Sequence, residues 1–268
     1  MDGGLARLPG IRHLARARYR ERFRKPFGGG NLYYGLFDSY QAALEESERL
    51  ATAQLPPTYD LEAAGRMYRD QLQHIRVSDY PLVYWLERSF KQGARRVFDL
   101  GGNIGVTYYG FERYLQYPDG LQWTVHDLPK VMAVGRKWAE RHDAQQRVAF
   151  ADSELGADGQ DVLVSTGALQ YLPYTLPQLI DRLAQPPRHV LINLTPMHPT
   201  RAFYTLQNLS IAVCPYRIDS IEQLKAKMQE RGYDLQDEWL SRERHLDVPF
   251  HPQARIDGYS GFAFQRSG

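Results

Sequence analysis

The run Val97-Phe98-Asp99-Leu100-Gly101-Gly102-Asn103-Ile104-Gly105 carries an apolar strand into a carboxylate and then into three glycines. Gly101, Gly102 and Gly105 allow a sharp strand-to-helix turn and let the backbone lie close against a ligand, where a Cβ would obstruct. Glycine turns of this kind also serve packing alone, so the acid decides what the loop can hold. A carboxylate two residues ahead of the first glycine repels a pyrophosphate lying on the loop, yet accepts a hydrogen bond from an ammonium or a hydroxyl. The pattern favours a cationic, phosphate-free nucleoside such as S-adenosylmethionine over NAD.

Two further apolar runs stop at acids. Leu121 to Val125 leads into His126-Asp127-Leu128-Pro129. An acid about 20 residues past a glycine loop can take a ribose hydroxyl pair, although Asp127 could instead cap a helix beginning near Lys130. Arg147-Val148-Ala149-Phe150 meets Asp152-Ser153, where an acid could hydrogen-bond an adenine amino group or serve a plain loop. A fourth run, Asp161 to Ser165, enters Thr166-Gly167-Ala168-Leu169-Gln170-Tyr171-Leu172-Pro173, and a fifth, His189 to Leu194, ends at Thr195-Pro196.

These pieces need elements to hold them. Five short β-branched runs separated by helix-length segments, among them a helical pattern from Leu176 to Leu183, predict a βαβ series and a parallel sheet in an α/β fold. Ile221 to Gly232 is expected as a helix stopped by glycine, and Tyr233 to Leu240 with Tyr259 to Phe264 as strands of a closing hairpin, one running antiparallel. Tyr40 to Phe90 is helical in pattern, with Ala42, Ala43, Leu50 and Ala51 in one segment and Leu61, Met67, Tyr68 and Leu72 in another. Pro56-Pro57 separates the two. Such helices can form a lid or a homodimer surface, or simply cover one edge of the sheet. No internal repeat or low-complexity tract is visible.

On these residues the chain resembles the class I S-adenosylmethionine-dependent methyltransferases, over about Tyr84 to Arg266. The resemblance implies a Rossmann-like, mostly parallel sheet with an antiparallel closing strand, behind an N-terminal helical extension or lid at residues 1–90. Residues 91–268 would form the catalytic domain, with a substrate-side insert near 195–220. It also implies roles: Asp99, Gly101, Gly102, Asn103 and Gly105 at the methionine end and turn, Asn103 standing where the family often has a third glycine. Asp127 and Leu128 would serve the ribose, Asp152 and Ser153 the adenine, and Thr166, Gly167 and the segment through Pro173 would close over the methionine part. More narrowly, the chain is similar to a family of bacterial methyltransferases of unassigned substrate. That likeness lies in Gly35-Leu36-Phe37-Asp38-Ser39-Tyr40, Phe98-Asp99-Leu100-Gly101-Gly102, Thr205-Leu206-Gln207-Asn208, Cys214-Pro215-Tyr216-Arg217 and Tyr259-Ser260-Gly261-Phe262. It suggests surface-polysaccharide or secondary-metabolite biosynthesis, hence a small-molecule or glycan-precursor acceptor.

Methyl transfer needs a nucleophile placed in line with the methyl sulfonium and, for a hydroxyl acceptor, a route for its proton. Gln170, Tyr171, His198 and Tyr204 are the candidates to contact the acceptor or act as base. His198 is the one whose ordinary pKa suits neutral-pH base work. The catalytic His-Asp pair of plant-type O-methyltransferases is absent after the fourth strand. Phe203, Tyr204 and Tyr216 suit an apolar or ring-bearing substrate and equally a plain core. Two rivals stay open: an NAD-dependent oxidoreductase or epimerase, against which stand the leading acid and the lack of a Tyr-x-x-x-Lys, and a non-catalytic binding or scaffold protein.

Composition sets outer limits. The chain has 268 residues and a net charge of +2, which gives no global pull toward nucleic acid. Its single cysteine, Cys214, excludes an internal disulfide and a cysteine-based zinc cluster and fits a reducing cytosol; no metal site is expected. No apolar run approaches the ~18 residues of a membrane span, and no secretory signal is visible. The first thirty residues hold eight Arg or Lys against two acids. There Ile11, Leu14, Ala15, Tyr19 and Phe23 fall at helical spacing among arginines, with Gly28-Gly29-Gly30 as the stop. A helix packed on the catalytic domain is the favoured reading, and peripheral contact with an anionic membrane the alternative.

Overall fold

Tyr19 and Phe23 give the first helix, α1 (Pro9–Phe23), an apolar stripe that turns inward: Phe23 is fully buried and Tyr19 Oη donates to Tyr33 O at 2.7 Å. The computed structural model describes residues 9–27 and 30–267; the Ile11 side chain and the Gly28-Gly29 stop lie outside the described residues. Several arginines of α1 have partners, Arg16 over the Phe250 ring and Arg20 on Glu46, while Leu14 stays exposed. Next comes a strand the sequence pattern did not announce, β1 (Leu32–Phe37), which pairs antiparallel with Phe203–Asn208. Its aromatic residues favour a strand, but its partner stands some 170 residues downstream, beyond the reach of periodicity. α2 (Tyr40–Leu50) follows, started by Ser39 Oγ accepting from the Ala42 amide at 3.1 Å. These elements belong to one compact unit, Met1–Tyr59 with Phe203–Tyr216 and Leu246–Arg255.

The second unit comprises Asp60–Ala202, Arg217–His245 and Ile256–Gly268. The expected boundary after residue 90 therefore falls inside it. The reason is α3 (Tyr80–Lys91), whose Leu82, Leu86 and Phe90 join the core on one face of the sheet. The helix expected from Leu61 to Leu72 is replaced by two short 3-10 turns, Ala64–Arg66 and Arg69–Leu72. Gly65 lies in the first, where a Cβ would come 3.2 Å from Val134 Cβ.

The sheet of this unit holds β2 (Arg96–Leu100), β3 (Gln122–His126), β4 (Val148–Phe150), β5 (Val162–Thr166) and β6 (His189–His198), all parallel. Between them run α4 (Val106–Phe111), α5 (Pro129–His142) and α6 (Leu176–Ile180). After β6 the expected insert is two strands, β7 (Phe203–Asn208) and β8 (Val213–Ser220); β8 meets β6 in parallel at Met197 and His198. α7 (Ile221–Glu230) then ends ahead of Gly232, which takes φ +77°, and leads into β9 (Tyr233–Ser241) and β10 (Tyr259–Arg266). β10 runs antiparallel to both β6 and β9, so the order is β4-β3-β2-β5-β6-β10-β9. The closing hairpin and its antiparallel strand are as expected.

Successive strand residues point to opposite faces, and here both faces are buried. Phe98, Leu100, Leu163, Val190, Ile192, Phe262 and Phe264 fill one layer, while Val97, Trp123, Val125, Val162, Val164 and Leu191 fill the other. Among the described residues no helix is long and apolar enough to cross a membrane.

Candidate functional site

Parallel strands deliver their chain ends to one edge, where ligands of such sheets sit. The first turn there, after β2, depends on backbone conformations that suit glycine. Gly101 and Gly105 adopt φ +72° and +92°, and Asn103, of a residue type that tolerates the left-handed region, adopts φ +55°. The loop amides are largely used internally. Gly101 N donates to His126 O at 2.7 Å, Asn103 N to Asp127 Oδ2 at 2.8 Å, and Gly105 N and Val106 N to Gly102 O at 3.0 and 3.1 Å.

Asp99 is fully buried beneath this loop: a Cβ on Gly102 would fall 2.4 Å from Asp99 Cγ. Its Oδ2 accepts from Trp123 Nε1 at 3.1 Å, and Oδ1 has no hydrogen bond of good geometry, although the Thr107 hydroxyl is near enough to favour the ionised form. Burial pushes its carboxyl up to about 7, against the Trp123 indole, which favours the ionised form.

Asp127 takes a different position from the one capping would require. Its Oδ2 holds the Asn103 amide and its Oδ1 the Leu128 amide at 2.7 Å, which ties the β3 turn to the glycine loop. The N-terminus of α5 is met from elsewhere, by Asp60 Oδ1 accepting from Lys130 N at 2.8 Å. Burial raises the Asp127 carboxyl above its usual value, opposed by those two amide donors. A carboxylate has about four lone-pair directions, so two accepted bonds leave capacity for a hydroxyl pair. Leu128 beside it is exposed. Beyond β4, Asp152 Oδ1 accepts from Arg136 Nη2 at 2.7 Å and Ser153 Oγ accepts from Leu155 N at 3.1 Å, so each has a local partner.

The turn after β5 lies against the first. A Cβ on Gly101 would come 2.1 Å from Ala168 Cβ, and Ser165 Oγ donates to Leu100 O at 2.9 Å. Gly167, at φ +69°, donates its amide to Asn193 O at 2.9 Å. Gln170 is buried; its Nε2 donates to Gly167 O at 2.7 Å, leaving Oε1 without a partner, as is Thr166 Oγ1. Tyr171 is half-buried on the single 3-10 turn Leu169–Tyr171.

His198 does not suit the role of base. Its Nδ1 accepts from the amides of Thr200 at 3.2 Å and Arg201 at 3.1 Å, which sets the proton on Nε2. With one nitrogen protonated and the lone pair of the other engaged, the ring has no position to receive a proton. Burial and the nearby Arg201 also lower its pKa. The residue stands five positions past Asn193, the partner of Thr166 in the β5–β6 ladder. That is at most about 16 Å further along the strand.

Among the described residues, four buried side-chain polar atoms at these two turns and the strand ends leading into them lack a partner: Asp99 Oδ1, Asn103 Oδ1, Thr166 Oγ1 and Gln170 Oε1. Three are pure acceptors, and neither turn carries Lys or Arg. The site offers acceptors and negative charge, and the amides of Gly101, Asn103, Gly105 and Val106 are already engaged within the protein. Among the described residues no cluster of three or more His, Cys, Asp or Glu could hold a metal ion.

The sheet is mostly parallel, with an antiparallel closing strand, as the sequence predicted. No protein-family model matches the chain, and no curated protein does, so the narrower bacterial likeness rests on the segments quoted above. Among solved structures, the 1,6-didemethyltoxoflavin-N1-methyltransferase of Burkholderia thailandensis is similar over 91% of this chain and 94% of its own, at 18% identity and a TM-score of 0.48. The magnesium protoporphyrin IX methyltransferase of Synechocystis PCC 6803, with bound S-adenosylhomocysteine, is similar over 94% and 99%, at 12% identity and 0.47. A mitomycin 7-O-methyltransferase is similar over 98% and 70%, at 13% identity and 0.47. Likenesses this distant leave the site to be argued from its own geometry.

Proposed function

We propose that this chain binds S-adenosylmethionine at the carboxyl edge of its parallel sheet and moves the methyl group to an oxygen or nitrogen of a small molecule or glycan precursor. The observation that carries the reading is the set of buried, unpartnered acceptors, Asp99 Oδ1, Asn103 Oδ1 and Gln170 Oε1, on turns without a basic residue. A buried acceptor is costly until a donor meets it, and a cationic, donor-bearing ligand would bring donors to this edge. The residues present fit such a group. Asp99, Gly101, Gly102, Asn103, Gly105, Thr166 and Gly167 would hold its amino-acid end, Asp127 and Leu128 its ribose, and Asp152 with Ser153 its adenine.

When bound, S-adenosylmethionine supplies a methyl group on a positively charged sulfur. The protein's own task is then to hold an acceptor atom about 3 Å away in line and to exclude water. Gln170 and Tyr171 are the residues assigned to that side. With His198 engaged through Nδ1, deprotonation is not assigned to it, and acceptors that ionise readily or attack as neutral amines suit the site best.

Calorimetric titration of the purified chain with S-adenosylmethionine, S-adenosylhomocysteine and NAD tests the reading. Micromolar binding of the first two, without NAD, is expected. Asp127→Ala should then weaken binding by about 1.5 to 3 kcal/mol, the value of a charged hydrogen bond. Binding of NAD in preference, or of none of the three, removes the proposal. A second reading, a protein that holds the cofactor without turning it over, is favoured by the engagement of His198; binding without methylation of any acceptor in a broad screen would select it.

A further inference from the structure

A guanidinium is rarely taken out of water unless its donors are met. Arg217, on β8, is only 2% exposed, and nearly all of its fork is used. Nε donates to the Asp219 carboxylate at 2.9 Å, Nη1 to Leu172 O at 2.8 Å and Tyr174 O at 2.7 Å, and Nη2 to Leu169 O at 2.9 Å. The three carbonyls belong to one stretch, from Leu169 at the start of the 3-10 turn to Tyr174 ahead of the cap of α6 at Thr175, and Leu169 O also accepts from the Leu172 amide at 3.3 Å. At Leu172 and Tyr174 Arg217 supplies the donors that a ladder would supply elsewhere.

The stretch it grips is part of the candidate site. Ala168 at its start lies against Gly101, and Gln170 carries one of the buried, unpartnered acceptors. Resting on the methyltransferase reading above, we propose that Arg217 is a positioning residue: it clamps Leu169–Tyr174 through three carbonyls and so sets Gln170 for the cofactor. Balancing the charge of Asp219 alone would require only Nε. The planar fork is what reaches three carbonyls at once; a lysine ammonium, a single point of charge, cannot span them.

Arg217→Lys keeps the charge and removes the fork. Hydrogen exchange of the full chain without ligand should show residues 169–174 exchanging about tenfold faster in this variant, with β2 and β6 unchanged. Titration with S-adenosylhomocysteine should show losses of about fivefold for Arg217→Lys and for Gln170→Ala, with the double variant no weaker than the weaker single, because the two act through one contact. Unchanged exchange at 169–174, acceleration spread evenly over the sheet, or multiplicative losses in the double variant would each overturn the proposal. Should Arg217→Lys fail to fold, Asp219→Asn, which loosens only the Nε side, is read the same way, with about threefold acceleration expected. If the wild-type chain binds no S-adenosylhomocysteine, the cofactor reading falls and takes the role of Gln170 with it, while the exchange pattern still decides the clamp.

Discussion

The turn after β2 and the turn after β5 touch at Gly101 and Ala168, yet they are held in different ways. The first is braced by its own backbone: positive φ at Gly101, Asn103 and Gly105, and amides that bond to neighbouring carbonyls and to Asp127. The second has backbone bonds of its own, from Gly167 N to Asn193 O, Tyr171 N to Ala168 O and Leu172 N to Leu169 O, and is gripped besides by a guanidinium that arrives some 45 residues later in the chain. A loop that encodes its conformation locally can be recognised from residue types. One held by a distant side chain cannot, even when the two line the same edge.

The largest effect expected from breaking this contrast lies under the first turn. The Asp99 carboxyl titrates near 7 in the folded chain against an ordinary value of 3.8. A folded-state value raised in this way contributes stability that is present below about pH 4 and lost as pH rises through 7. Asp99→Asn removes that loss, so its stability relative to wild type should rise between pH 4 and 7, by as much as roughly 4 kcal/mol. Denaturant unfolding of both proteins across this range checks it; a constant difference would mean that the charge is solvated.

Gly101→Ala comes next, at about 2 to 4 kcal/mol, from a disfavoured φ and the approach to Ala168 Cβ. Thermal unfolding of Gly101→Ala together with the Gly101→Ala/Ala168→Gly pair sharpens the comparison. The second change should recover the part due to contact between the turns and leave the part due to φ. The smallest effect is expected for Asn103→Gly, which keeps the backbone conformation and loses only the bond from Nδ2 to Ala64 O, at about 1 kcal/mol or less. A loss several times larger in unfolding experiments would show that the first turn, too, depends on a distant segment, the backbone at Ala64.

The strands and the acid-glycine turn were legible because their signals are local. Val97 to Leu100 and Val162 to Val164 are apolar on both faces, and Gly101 and Gly105 mark a turn that other residues would strain. Asp127 was singled out by spacing, but not its partner, since nothing in the run His126 to Pro129 foretells a bond to the Asn103 amide. His198 shows the limit from the other side. Its residue type suits a base, and only its two amide partners reveal where the proton sits. Arg217 carried a weak signal, a charge within an otherwise apolar run, and Asp60 carried none, being 70 residues from the amide it caps.

The amino-acid order by itself determined the parallel strands, the hairpin that closes the sheet and the acidic, glycine-lined turn, because each follows from side chains within a few residues of one another. Tertiary structure alone decided that β1 pairs with β7, that residues 60–90 pack with the sheet, that Asp99 lies beneath the loop, and that Arg217 holds the turn beside it. Those outcomes depend on which distant segments meet when the chain folds back, and burial or a hydrogen bond formed there outweighs any local preference.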